Sequence, residues 1–141
     1  VTGAGRLEPP VGQGAEPFWE GTRDRQLLLP WCTACRRPFF YPRPFCPVCL
    51  GRDIAWRRAS GNGSVYAFTV EHRTEGVPFA GDSPFVVGLV ALDEGVRLMA
   101  NVVGCPTVDV RVGMAVTVSW EALSDGRHLP LFTPQPGERA S

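Results

Sequence analysis

Cys32-Thr33-Ala34-Cys35 and, ten residues further on, Cys46-Pro47-Val48-Cys49 form the stretch around which the chain is organised. Each half sets two thiols three residues apart, so one tight turn aims both sulfurs at a single point, and two such turns complete a tetrahedron. Tetrahedral S4 is the geometry Zn2+ prefers, and iron in a rubredoxin-like site takes the same four ligands. The spacing therefore predicts Cys32, Cys35, Cys46 and Cys49 as metal ligands. Two disulfides would require an oxidising compartment, and the residues before Cys32 do not read as a secretory signal. A thioredoxin-like redox pair needs a long helix after the second cysteine, and Pro38 stands against one. A site with no open position and no companion redox motif suits Zn2+ as a structural staple, replacing the hydrophobic core that so short a segment cannot build.

Composition limits what surrounds this staple. With 16 Gly and 14 Pro in 141 residues, short strands joined by turns are favoured over long helices. No apolar run is long enough to span a membrane as a helix, and a cytoplasmic location is expected. All 14 basic residues are arginine. Six of them (Arg36, Arg37, Arg43, Arg52, Arg57, Arg58) fall within residues 36–58 against the single acid Asp53, a local net charge of +5. Residues 71–141 carry five arginines and nine acids, a net −4. A chain this balanced argues against a generic nucleic-acid wrapper and leaves room for a small anion site on the basic segment.

Taken in order, residues 1–14 are rich in Gly and Pro and read as a flexible lead or linker. Ala15 to Arg25 reads as a short amphipathic helix with Pro17 in its first turn. Phe18 and Trp19 on it need burial, in the chain's own core or groove or against a partner. Gln26–Trp31 enters the ribbon as a strand, residues 36–45 read as a short hairpin, and Asp53–Trp56 leaves as a strand, so residues 15–59 form the helix and zinc ribbon. Ala59-Ser60-Gly61-Asn62-Gly63 is the internal boundary. Strands are expected at Ser64–Arg73, Phe85–Asp93, Val96–Val103, Ala115–Leu123 and Leu129–Phe132, with a tight turn at Glu94-Gly95 and a bend or bulge at Gly88. Residues 134–141 read as a loose tail. Five strands in residues 60–133 with no crossover helix point to a mainly β chain ending in a five-stranded barrel of the OB type, with an open meander as the alternative.

Catalytic constellations are missing from the sequence. His72 and His128 lie far apart without a serine in a nucleophile turn, and Cys105 in Gly104-Cys105-Pro106 reads as a structural thiol. No glycine-rich phosphate loop is present. What remains is binding. In an OB barrel the first long loop and its neighbouring strands form the working face, here Arg73 to Phe85, with Phe79 and Phe85 as apolar contacts.

The order Phe18-Trp19-Glu20-Gly21, Cys32-x2-Cys35, Cys46-Pro47-x-Cys49, Gly61-x-Gly63-x-Val65-Tyr66, Leu92-Asp93-Glu94-Gly95 and Val112-Gly113-Met114-x-Val116 resembles the DUF35 family over about residues 16–133. That resemblance implies a rubredoxin-like zinc ribbon followed by an OB-fold. It also implies a noncatalytic accessory subunit that docks on a thiolase-superfamily enzyme in a hetero-oligomer and helps form its acyl-CoA site or passes on the acyl-CoA. Partners in the family include thiolases, hydroxymethylglutaryl-CoA synthase and retro-aldolases that shorten steroid side chains, and some members follow a MaoC-like hydratase domain. Arg36 stands where the family often has glycine. Arg36, Arg37 and Arg43 are the candidates for CoA phosphates, since planar guanidinium forks match phosphate oxygens; Phe18, Trp19, Phe79 and Phe85 are the candidate partner or ligand contacts. A nucleic-acid-binding ribbon and OB module, or an iron electron carrier, are the competing readings.

Overall fold

The computed structural model describes residues 8–72 and 84–137. A short helix, α1 (Glu16–Arg23), leads into a three-stranded antiparallel sheet of β1 (Leu28–Cys32), β2 (Arg37–Pro38) and β3 (Ile54–Arg58), in the order β2-β1-β3. A closed barrel follows, built from β4 (Asn62–Glu71), β5 (Phe85–Leu92), β6 (Arg97–Val102), β7 (Ala115–Ala122) and β8 (His128–Pro134), in the order β4-β5-β6-β8-β7. A 3-10 turn at Thr107–Asp109 connects β6 to β7. The expected mainly β architecture, with zinc ribbon and five-stranded OB barrel, is the observed one.

Alternation decides which side chains fill the barrel. Along β5, Val86, Gly88, Val90 and Leu92 are buried and the residues between them half-buried. Val65, Leu98, Val102, Val116 and Phe132 join them in one core. Each such side chain contributes about 1.5–3 kcal/mol on burial. The β5–β6 turn closes at Gly95 (φ 100°), whose N–H donates to Leu92 O at 2.9 Å. The register irregularity lies elsewhere than expected. Gly88 pairs regularly with Phe68 and Ala100, and its missing side chain makes room for Val102, whose Cγ2 lies 3.0 Å from where a Cβ would stand. The shift sits in β4 between Val65 and Ala67, so Tyr66 is the extra residue.

The barrel has one weak seam. β7 and β8 pair along their length, from Val116↔Pro134 to Ala122↔His128, whereas the parallel pair β6–β8 meets at Val102↔Phe132, prolonged by the Val103 N–H bond to Phe132 O (2.8 Å). Helix α1 packs against β1 and β8, beside this seam. Phe18 is buried in the common core, edge-on to Trp19 (5.0 Å between centroids) and to Phe40 of the ribbon (5.6 Å). The fully buried Thr22 pins the end of the helix: its hydroxyl donates to Trp19 O (2.6 Å) and accepts the His128 N–H (3.1 Å), while His128 Nδ1 bonds Thr22 O (2.8 Å).

Residues 8–14, expected as part of a flexible lead, are held in place. Ser124 donates from its N–H (2.9 Å) and its hydroxyl (2.8 Å) to the Glu8 carboxylate, and Arg127 Nη1 donates to Pro9 O (2.8 Å). Gly14 (φ 86°) presses against the Arg43–Pro44 backbone, where any Cβ would clash. Proline and glycine here give a fixed strap, because its polar groups find partners more than a hundred residues away.

Candidate metal centre and apolar cleft

The two Cys-x-x-Cys turns bring the four sulfurs within 4.8 Å of one another. Cys32 Sγ lies 3.6 Å from Cys49 Sγ, and Cys35 Sγ 3.9 Å from Cys46 Sγ. An S4 tetrahedron on metal–sulfur bonds of about 2.3 Å has edges of about 3.8 Å, close to the two measured sulfur pairs, so the cluster suits a tetrahedral zinc site. Backbone N–H groups of Cys35, Val48 and Gly51 point at Cys32, Cys46 and Cys49 at 3.3–3.4 Å, the polarity a thiolate needs. Protons satisfy this cluster unevenly. Hydrogen bonds with Cys49 and Cys32 push the Cys35 thiol up to about 12, while the Cys49 backbone N–H, working against burial, pulls Cys46 down to about 6. Zinc bound by these four sulfurs supplies the positive charge that lets all of them be thiolates, and so ties β1 to the loops before β3.

Both knuckles need a left-handed residue after the second cysteine. Arg36 (φ 58°) and Leu50 (φ 64°) fill that place, and their N–H groups donate to Cys32 O (2.8 Å) and Cys46 O (2.9 Å). A non-glycine residue there costs about 1–2 kcal/mol, offset in part by the greater entropy that glycine loses on folding. Arg36→Gly is therefore expected to raise the stability of the zinc-loaded protein by about 0.5–1 kcal/mol. A rise in the urea midpoint at unchanged slope is the expected reading, and a fall would show that the arginine side chain outweighs the backbone.

Beside the metal centre, helix, ribbon and barrel enclose an apolar cleft of about 470 Å³. Its floor is the weak seam, Leu98 and Ala100 of β6 opposite Leu129 and Pro130 of β8, and its walls are Trp19, the ribbon loop Phe40-Tyr41-Pro42 and the strap at Pro9 and Pro10. The Tyr41 hydroxyl accepts the Met99 N–H (3.2 Å), binding the ribbon loop to the side of β6 that β8 leaves open. Arg127 fixes the strap end. This guanidinium, 6% exposed, donates from Nε to Asp125 Oδ2 (2.7 Å), holds Pro9 O and stacks 4.9 Å from the Trp19 ring. Arg23 Nη1 adds a bond to Asp125 O (2.7 Å).

The structure brings part of the expected contact set together. Phe18, Trp19 and Phe85 all line the cleft, the helix aromatics being covered by the chain's own core and groove; Phe79 lies outside the described residues. Arg36 and Arg37 are exposed and Arg43 half-buried, on either side of the cleft-lining loop 40–42, and none of the three is in an ion pair among the described residues. Cys105 packs half-buried against the barrel core. Sequence reasoning missed the strap and the seam. The one available signal was Arg127, an arginine at the start of an apolar strand. Among the described residues, Tyr41 is the only one with a titratable side chain in the cleft lining.

This architecture has relatives. Residues 19–55 match the family described as ChsH2, rubredoxin-like zinc ribbon domain, and residues 56–121 the one described as ChsH2, C-terminal OB-fold domain. A solved structure titled "Ltp2-ChsH2(DUF35) aldolase" superposes with a TM-score of 0.81 at 33% identity, covering 90% of this chain and 98% of that one. The chain belongs to the ChsH2/DUF35 family. Among curated members, the "Probable enoyl-CoA hydratase alpha subunit" of Thermomonospora curvata is 33% identical over 129 residues, 92% of this chain. The "3-oxo-4,17-pregnadiene-20-carboxyl-CoA hydratase alpha subunit" of Mycobacterium tuberculosis is 29% identical over 116 residues, 81% of this chain. This chain spans 40% and 36% of the length of those two family members.

Proposed function

We propose that the chain is a noncatalytic accessory subunit of a thiolase-fold acyl-CoA enzyme, a retro-aldolase of steroid side-chain degradation. It stabilises that enzyme and helps form its acyl-CoA site, and a MaoC-like hydratase domain works with it in the same or a neighbouring chain. The observation that carries this reading is the apolar cleft itself. Among the described residues it offers no nucleophile or acid–base pair, and arginines flank one of its walls, as an apolar acyl group carried on a phosphate-bearing handle requires. An aldolase that contains a ChsH2(DUF35) chain and a pregnadiene-carboxyl-CoA hydratase among the relatives support the choice of pathway.

Co-expression with a thiolase-fold acyl-CoA enzyme, followed by acyl-CoA cleavage assays with and without this chain, tests the reading. Solubility and activity that depend on the chain are expected. An enzyme equally soluble and active alone, with this chain binding single-stranded nucleic acid instead, would overturn it. Replacing Arg36, Arg37 and Arg43 together with alanine is expected to weaken CoA binding by the complex about tenfold to hundredfold. Unchanged affinity in calorimetry would make these arginines a solvated face.

A further inference from the structure

We infer that the outer face of β4, β5 and β6, from Tyr41 across Met99 and Leu89 to the bulge at Tyr66, is the surface on which the partner enzyme seats. The inference rests on the accessory-subunit reading above and adds the place of contact.

A small barrel fills its interior from one side of each strand, so the other side should be polar. β7 follows the rule: Thr117, Ser119 and Glu121 alternate with the core-facing Val116, Val118 and Trp120. β5 breaks it. Its core-facing set is Val86, Gly88, Val90 and Leu92, and the opposite set is Phe85, Val87, Leu89 and Ala91, all apolar and half-buried; Phe85 and Val87 line the cleft, which leaves Leu89 and Ala91 beyond its edge. Strands apolar on both faces are covered on both faces in finished assemblies.

Neighbouring strands extend this face. Leu89 pairs with Ala67 on one side and with Met99 on the other. Met99 is 59% exposed, and its N–H is the group bound by the hydroxyl of Tyr41, itself 48% exposed. At the far end the register shift in β4 turns both Tyr66 and Ala67 outward. Tyr66 is 49% exposed, with the Arg97 guanidinium 3.8 Å from its ring centroid. A bulge that re-aims one side chain is a retained feature of a strand, and here it brings a tyrosine beside an arginine at the rim.

The occupant follows from shape and charge. The face is the outside of a sheet, so it takes the apolar surface of a macromolecule, and Tyr, Met and Arg are the residues enriched where proteins meet. Arg97 stacks on Tyr66 and is in no ion pair among the described residues, so its positive charge at the rim complements a partner surface with an acid at the corresponding edge. A thiolase-fold subunit with an apolar patch edged by acids fits.

The test uses the complex of the zinc-loaded chain with the co-expressed thiolase-fold enzyme, its affinity measured by biolayer interferometry. Met99→Asp is expected to weaken association at least a hundredfold, and Tyr66→Ala and Arg97→Glu at least tenfold each. Val108→Asp, at an 88% exposed site on the 3-10 turn, should change it less than twofold. Zinc content and melting temperature establish folding, and if Met99→Asp fails there, the two rim variants decide. A complex that forms and tolerates all three substitutions within twofold overturns this inference alone. No complex with the unmodified chain overturns the accessory-subunit reading as well. An unmodified chain that sediments as a dimer, which Met99→Asp disperses while partner affinity is untouched, gives the face to a second copy and also overturns the inference.

Discussion

Replacing Cys46 with serine is expected to drop bound zinc from about one equivalent to almost none and to unfold the ribbon while the barrel survives. The ribbon's own buried cluster is Cys32, Phe39 and Cys46, with Cys35 and Ile54 packed against it. Two of its three buried members are themselves ligands, so removing the metal removes the core. Structural zinc contributes apparent free energies of about 10–16 kcal/mol in domains of this kind, far more than one phenylalanine and one isoleucine supply. Amide exchange discriminates: protection in β1 and β3 should vanish, in Cys46→Ser and in chelator-treated protein alike, while β5 and β7 stay protected. Native-like protection of β1 in the metal-free protein would make the zinc incidental to folding.

The second large effect is expected at Arg127. Arg127→Ala removes at once the bond to Pro9 O, the pair with Asp125 and the stacking on Trp19, and should cost about 2–4 kcal/mol. The loss should be local at first, with the strap at residues 8–14 exchanging freely and becoming open to proteolysis. Arg127→Lys should rescue little, because one ammonium cannot serve three directions. Asp125 supplies a pH signature. Burial pushes its carboxyl up, but the Arg127 N–H, the Arg127 guanidinium and Arg23 outweigh that and hold it below the usual carboxylate range. A lowered folded-state value means the stabilisation is complete above the ordinary carboxylate range and is lost as pH falls through the lowered value. Trp19 fluorescence in the wild type should report that acid loosening, and Asp125→Asn should abolish it. A strap still protected in Arg127→Ala would show that Glu8 and the prolines suffice.

Local chemistry was legible in the sequence and long-range closure was not. The cysteine spacing announced the metal centre because both thiols of each pair come from one turn. Alternating Val and Leu announced the barrel strands for the same reason: side-chain period is a property of a few consecutive residues. The strap at residues 8–14 was read as loose because Pro-Pro-Val-Gly has no local partners, and its order depends on Ser124 and Arg127. Gly88 looked like the place for a bulge, yet Tyr66 carries it; the glycine answers instead to Val102 on the adjacent strand. The cleft could not have been foreseen from any one segment, since its lining comes from the strap, the helix, the ribbon loop and three strands.

The seam between β6 and β8 bears on how the chain is made. β8 follows the other elements of the described residues, yet it pairs with β7 and β6 and its first residue binds the helix at Thr22. During synthesis, helix and ribbon leave the ribosome before the barrel and can take up zinc early, while Phe18 and Trp19 wait without their final neighbours. The last strand to emerge completes the barrel and buries the first helix in one event. Translation speed over residues 115–134 thus sets how long Phe18 and Trp19 are exposed to chaperones and to aggregation.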